Sequence, residues 1–214
     1  MAVVQNTLIG RSRGSVGGAT FSKWKGLNVL KSKPESVEQP NTVPQQTQKN
    51  RMALIVRLGR ALKPVIDAGF KEQAINQSEF NAFIGENIMD AILAVSPPAV
   101  TPDFANMLVS KGSLSNTALG IISATDGSPT VSLAYPSTTS TPDQALSDLA
   151  VAAVINTTTQ EFAYNVGGAD RSAGTIAVTM PSNCSTSDAL ECYLFFVKED
   201  YSKSSDSQYS NTVV

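Results

Sequence analysis

Thr175-Ile176-Ala177-Val178-Thr179-Met180 alternates polar or small with apolar side chains at period two, the pattern of a strand that buries one face. The same alternation recurs in Val131, Leu133 and Tyr135, in Phe162, Tyr164 and Val166, and in Cys192, Leu194 and Phe196. Turn residues bound these segments at Asp126-Gly127, Gly167-Gly168 and Pro181-Ser182-Asn183. Short strands with helix formers scarce between them predict an antiparallel sandwich over residues 104–214 rather than a parallel sheet.

Upstream the period changes from 2 to 3.6. Thr42 and Pro44 open a segment in which Met52, Ile55, Leu58, Leu62 and then Val65 or Ile66 recur at spacings of three and four, one buried helical face. Pro64 ends or kinks this helix. A second helix is expected from Ser78 as N-cap to about Leu93, with Phe80, Ile84, Ile88 and Ile92 at steps of four, stopped by Pro97 and Pro98. Gly69-Phe70 between them suggests a two-helix hairpin over residues 42–98. The fold class is therefore α+β: an N-terminal extended β arm (1–41), a helical hairpin (42–98) and a sandwich of about seven strands resembling immunoglobulin or fibronectin-III domains (104–214). The sandwich is expected to fold alone and the arm is not.

The arm is rich in Gly, Ser, Lys and Arg. Gly14 to Gly18 reads as a turn between short strands, and Thr20 to Leu30 carries aromatic and β-branched residues. Phe21, Trp24, Leu27, Val29 and Leu30 are too many apolar residues for a solvated tail, so the arm needs a surface to pack on. Charge points the same way. Residues 1–63 hold eleven Lys/Arg and two Glu, whereas 64–214 hold five basic and sixteen acidic residues. A basic arm beside an acidic body binds a neighbouring copy, a phosphate backbone or its own body. Arg11, Arg13, Phe21, Lys23, Trp24, Lys25, Lys31 and Lys33 are the candidate interaction residues. Trp24 between two lysines suits nucleic acid, with cations for phosphate and an aromatic for stacking. The favoured reading has Trp24 anchoring the arm in an apolar pocket, because one aromatic is a poor stacking platform and the basic residues are diffuse.

Histidine is absent, which removes Ser-His-Asp and Cys-His nucleophile pairs and histidine-dependent zinc sites. Gly14-Ser15-Val16-Gly17 matches a GxxG by letter without the flanking helices that a backbone clamp requires. No Gly-Lys-Ser/Thr follows Gly10 or Gly14, and Ser22-Lys23-Trp24-Lys25 lacks the companions of an SxxK catalytic site. Glu199-Asp200, and Asp143 with Asp148, are read as solvated loop carboxylates in preference to a cation site. Cys184 and Cys192 are read as free, partly buried thiols, a hairpin disulfide being the alternative. No catalytic residue, metal or cofactor is expected. No apolar run reaches the roughly 18 residues of a membrane span, and Met1 to Gly18 lacks the continuous apolar stretch of a secretory signal.

A further pattern runs through Gly14-Ser15-Val16-Gly17-Gly18, Trp24-Lys25-Gly26, Lys31 with Pro34, Pro40-Asn41-Thr42, Gln45, Gln48, Arg51, Gly69-Phe70-Lys71, Phe80-Asn81, Asn87 and Val109-Ser110-Lys111-Gly112-Ser113-Leu114. This order resembles a domain-of-unknown-function family of Bacteroidota and of their phages, crAss-like phages included, over about residues 8–115. The β-rich remainder matches loosely, and Gly18-Ala19 departs from the more polar pattern, which touches only the hairpin geometry. The resemblance implies no enzymatic activity and carries over no catalytic residue. Phage-encoded members imply a virion structural component made in the host cytoplasm; a chromosomal member would be cytoplasmic with an open role. The expectation is a neck or tail ring component (a head-tail connector part) that forms a homo-oligomer with other virion proteins as neighbours. The alternatives are a binding or adhesion module on a capsid or host surface, and nucleic-acid contact through the arm.

Overall fold

The computed structural model describes residues 2–4, 14–33, 36, 40–139 and 141–211, and the chain divides into two units, Met1–Thr42 and Val43–Val214. In the first, β1 (Ala2–Val4), β2 (Gly14–Val16), β3 (Ala19–Trp24) and β4 (Leu27–Ser32) form an antiparallel sheet in the order β1-β4-β3-β2. Gly17-Gly18 joins β2 to β3, as the glycine-rich turn predicts. The expected strand over Thr20–Leu30 is two strands, because Lys25 and Gly26 take φ of 46° and 85°. Positive φ at both central positions matches the strand twist across a two-residue hairpin. The arm is thus a small four-stranded sheet rather than one hairpin.

In the second unit, α1 (Val43–Ala61) and α2 (Lys63–Gly69) meet at Leu62, with Pro64 in the first turn of α2 where its missing N–H costs nothing. Ile55, Leu58, Leu62, Val65 and Ile66 are buried as the spacing predicts, whereas Met52 lies off that face and is exposed. Ser78 caps α3 (Glu79–Asn87) by accepting the Asn81 N–H at 3.2 Å. The helix does not run to Leu93. The buried Asn87 side chain donates to the Phe83 and Leu108 carbonyls, each at 2.9 Å, and accepts the Leu108 N–H at 2.7 Å. That exchange ties the end of α3 to a distant loop, and β5 (Ile92–Ser96) then pairs with β6 (Ala99–Pro102). Pro97-Pro98, with a cis bond, forms the turn of this hairpin rather than a helix stop. The helical region therefore holds three helices and a β-hairpin.

The remaining strands form two antiparallel sheets. One takes β7 (Ile122–Ala124), β8 (Ser128–Ala134) and β11 (Thr175–Cys184) in the order β11-β8-β7. The other takes β9 (Leu149–Asn156), β10 (Glu161–Asp170), β12 (Leu190–Val197) and β13 (Gln208–Ser210) in the order β10-β9-β12-β13. Ile122, Val131, Leu133, Ile176, Val178 and Met180 of the first share one core with Ala150, Ala152, Val154, Cys192, Leu194 and Phe196 of the second. Alternate residues of the same two strands, Val151, Ala153, Ile155, Tyr193, Phe195 and Val197, share a second core with Ile55, Leu62, Ile66, Phe70 and Phe83 of the helices. The β9/β12 pair is thus buried on both faces, helices on one side and a sheet on the other, so regions 42–98 and 104–214, distinct by composition, form one α+β unit. A strand covered on both sides loses its period-two signature. That is why Ala150-Val151-Ala152-Ala153-Val154-Ile155 gives no alternation to read. In β10 the expected inward residue Tyr164 is exposed, and Ala163 is buried.

Candidate interaction surface

Antiparallel register sorts the arm residues by face. Trp24 pairs with Leu27 and shares a face with Val29 and Lys31; Phe21 pairs with Leu30 and shares the other face with Lys23. Trp24 stands at the tip, 61% exposed, beside Leu27 at 44%. The Lys25 ammonium sits 5.2 Å from the Trp24 ring centroid, in cation–π range. Lys23, Lys25, Lys31 and Lys33 are exposed and Phe21 is half-buried. Among the described residues of the first unit the indole is largely left to solvent. Arg11 and Arg13 lie outside the described residues. The structure thus brings Lys23, Trp24, Lys25 and Leu27 together at one hairpin tip, with Lys31 further along the face that Trp24 occupies.

The sequence places the charge boundary at residue 63, but the structural boundary falls at 42. Lys49, Arg51, Arg57, Arg60 and Lys63 belong to the helices of the second unit. Residues 1–42 carry six basic and two acidic side chains, net +4, against ten basic and sixteen acidic in 43–214, net −6. The opposition of sign persists, and it is smaller.

Three of the four carboxylates in the acidic pairs, Asp143, Asp148 and Asp200, are engaged. Asp148, buried, accepts the Ala145 N–H at 2.7 Å and Lys198 Nζ at 3.0 Å, and lies 3.5 Å from the buried Arg171 guanidinium. Arg171 stacks over Phe196 at 3.9 Å and donates to Thr117 Oγ1. Its Nε and Nη2 find no hydrogen-bond acceptor among the described residues, and burial pulls its pKa down. Asp143 accepts the Ser115 N–H at 2.6 Å; the nearby Thr141 hydroxyl and the bond from Ser115 hold it well below the usual carboxylate range. Asp200 accepts the Ser202 N–H at 2.9 Å and is lowered likewise. Among the described residues no group of three or more His, Cys, Asp or Glu is arranged to hold a metal. Leu114, Pro142, Ala145, Asp143, Asp148, Lys198, Glu199, Asp200 and Lys203 line an open cleft of about 650 Å³. A smaller groove of about 270 Å³ lies among Leu54, Arg57, Leu58, Phe104, Ile155 and Phe162. Cys184 and Cys192 are buried free thiols, and burial pushes Cys192 up to about 12.

Sequence reading missed a polar joint at Gly69. Its carbonyl accepts from Ser110 Oγ at 3.0 Å, Ser204 Oγ at 2.9 Å and the Lys111 N–H at 3.2 Å. Lys111 Nζ reaches Glu86 at 2.8 Å, the Gly112 N–H reaches Asp206 at 3.0 Å, and the Ser113 N–H reaches Glu72 at 3.0 Å. Gly69-Phe70-Lys71, Asn87 and Val109 to Leu114, which stand out in the sequence as a pattern, therefore meet where helices join sandwich. Their polar groups are used in packing the fold. No local signal identifies Arg171, whose partners Asp148 and Thr117 lie 23 and 54 residues upstream.

Among the described residues no helix is long and apolar enough to cross a membrane. No curated protein and no solved structure matches the chain. A family model matches residues 11–211, across both units, and by that match the chain belongs to DUF6266, a family of unknown function.

Proposed function

We propose that this chain is a non-enzymatic structural component of a tailed-phage virion, a neck or tail ring part that assembles with copies of itself through its basic N-terminal sheet. The observation that carries the assembly reading is the separateness of Met1–Thr42, a unit of net +4 whose tip holds Trp24 and Leu27 out to solvent. Tryptophan, with tyrosine and arginine, is enriched among the side chains that anchor protein interfaces. A donor surface on one unit and an acceptor of opposite charge on another make a heterologous contact, and such contacts repeated about an axis close into rings. The phage context rests on the resemblance described above.

The sandwich is an immunoglobulin or fibronectin-III-like module in this reading. Taking β7, β8, β9, β10, β11, β12 and β13 as A, B, C, C′, E, F and G gives sheets A-B-E and C′-C-F-G, the neighbours found in that architecture. The binding-module alternative would act through its loops, since the helices cover the outer face of C and F. Mass measurement of the full chain and of a chain lacking residues 1–33, at low and high salt, tests the assembly reading. The full chain is expected to form a closed oligomer and the shortened chain a soluble monomer. An unchanged oligomer without the arm refutes arm-mediated assembly. Duplex or single-strand binding that falls steeply between about 50 and 200 mM salt replaces it with the nucleic-acid reading.

A further inference from the structure

We propose that the hairpin tip Lys23-Trp24-Lys25-Gly26-Leu27 of one copy seats in the 650 Å³ cleft between the Pro142–Asp148 loop and the Lys198–Lys203 turn of a neighbouring copy. This rests on the self-assembly reading and names the receiving surface. The cleft suits the tip in charge and in shape. Its lining holds four carboxylates against two lysines, and Lys198 is already committed to Asp148 and to the Asp143 carbonyl. Among the lining residues Asp143, Glu199 and Asp200 therefore meet an incoming cation with Lys203 opposing them, and outside the lining Lys71 acts on Asp200. The Ser115 N–H donates to Asp143 and the Ser202 N–H to Asp200, which favours the charged form of each. Leu114, Pro142 and Ala145 supply apolar surface for an indole, and Leu146, beside Ala145, is half exposed.

Charge also decides between this cleft and the smaller groove. The smaller groove is more apolar, but it carries Arg57, on the helix that also holds Lys49, Arg51 and Arg60. A tip bearing Lys23 and Lys25 is repelled there and attracted at the acidic cleft.

The test places a photoreactive benzoylphenylalanine at position 24 of the full-length chain, mixes light and heavy isotope-labelled protein, irradiates, and maps the joined peptides, with native mass measurement in parallel. Light–heavy pairs linking position 24 to residues 142–148 or 198–203 are expected. Glu199→Lys, an exposed substitution, is expected to weaken association about tenfold with an unchanged melting profile, and Lys25→Glu to restore it. Light–heavy links that map to the Arg57 groove or to the 92–102 hairpin overturn the cleft while leaving arm-mediated assembly standing. A monomer at high micromolar concentration, or links within one chain only, overturns both.

Discussion

Removing residues 1–103 strips the helices and the 92–102 hairpin from the outer face of β9 and β12. Val151, Ile155, Phe195 and Val197, each no more than 2% exposed, lose that cover, whereas Tyr193 keeps Tyr209 and the Phe104 carbonyl. At about 1.5–3 kcal/mol for each large side chain, the burial of those four contributes about 6–12 kcal/mol. A whole domain is stable by only about 5–15 kcal/mol. Residues 104–214 are therefore expected to lack a cooperative fold, despite having strands enough for a sandwich, whereas residues 43–214 keep theirs. Amide NMR dispersion, dye binding and urea unfolding of the two fragments side by side measure this. A dispersed spectrum and a sharp transition for 104–214, at the midpoint of the longer fragment, would refute the reasoning and make the helices an appendage.

Gly69→Ala places a Cβ 2.7 Å from Ser110 Cβ and from the Val109 carbonyl; it is expected to cost about 1–3 kcal/mol in urea unfolding, while Gly85→Ala, in open space, costs nothing measurable. Cys192, pushed up to about 12 by burial, is expected to stay unlabelled by a thiol reagent at pH 8 until denaturant is added; fast labelling of the native protein would show that the inter-sheet core opens. Asp126, Asp143 and Asp200 have folded pKa values below their unfolded ones, held there by hydrogen bonds from Thr186, Ser115 and Ser202. Their contribution is fully present above about pH 4 and is lost as pH falls through the folded values, so the melting temperature is expected to drop below about pH 4; a flat profile down to pH 2 counts against it. The single tryptophan is expected to show solvent-like emission in the monomer and a blue shift on assembly, an unshifted spectrum in the oligomer excluding Trp24 from the interface.

Where one physical constraint acts on contiguous residues, the sequence is legible. The Ile55-Leu58-Leu62 stripe, the Ser78 cap and the alternation of Ile176, Val178 and Met180 each answer to a single covered face, and each lies where expected. Two constraints on one segment erase the signal, as in β9, pressed by helices on one side and a sheet on the other; in β12 the alternation of Cys192, Leu194 and Phe196 marks only one of the two faces that are buried. Asn87 shows a different limit, because its helix ends at a bond to Leu108, 21 residues away. The tip of the arm was legible as a cluster of lysines around an aromatic; the Lys25-Gly26 turn that exposes it was not, since Lys seldom takes positive φ. The acidic cleft draws its walls from residues 113–114, 142–148 and 198–203, which no local pattern joins.

The entry point of the arm's chain has a mechanical consequence. The first unit ends where α1 begins, and the buried residues of α1 and α2 run from Ile55 to Gly69, whose carbonyl is held by three donors. A pull on the arm is thus delivered along α1 into the helical layer and is borne by its buried residues. β13, held to β12 through three residue pairs, would instead come away one pair at a time under a pull on the other end.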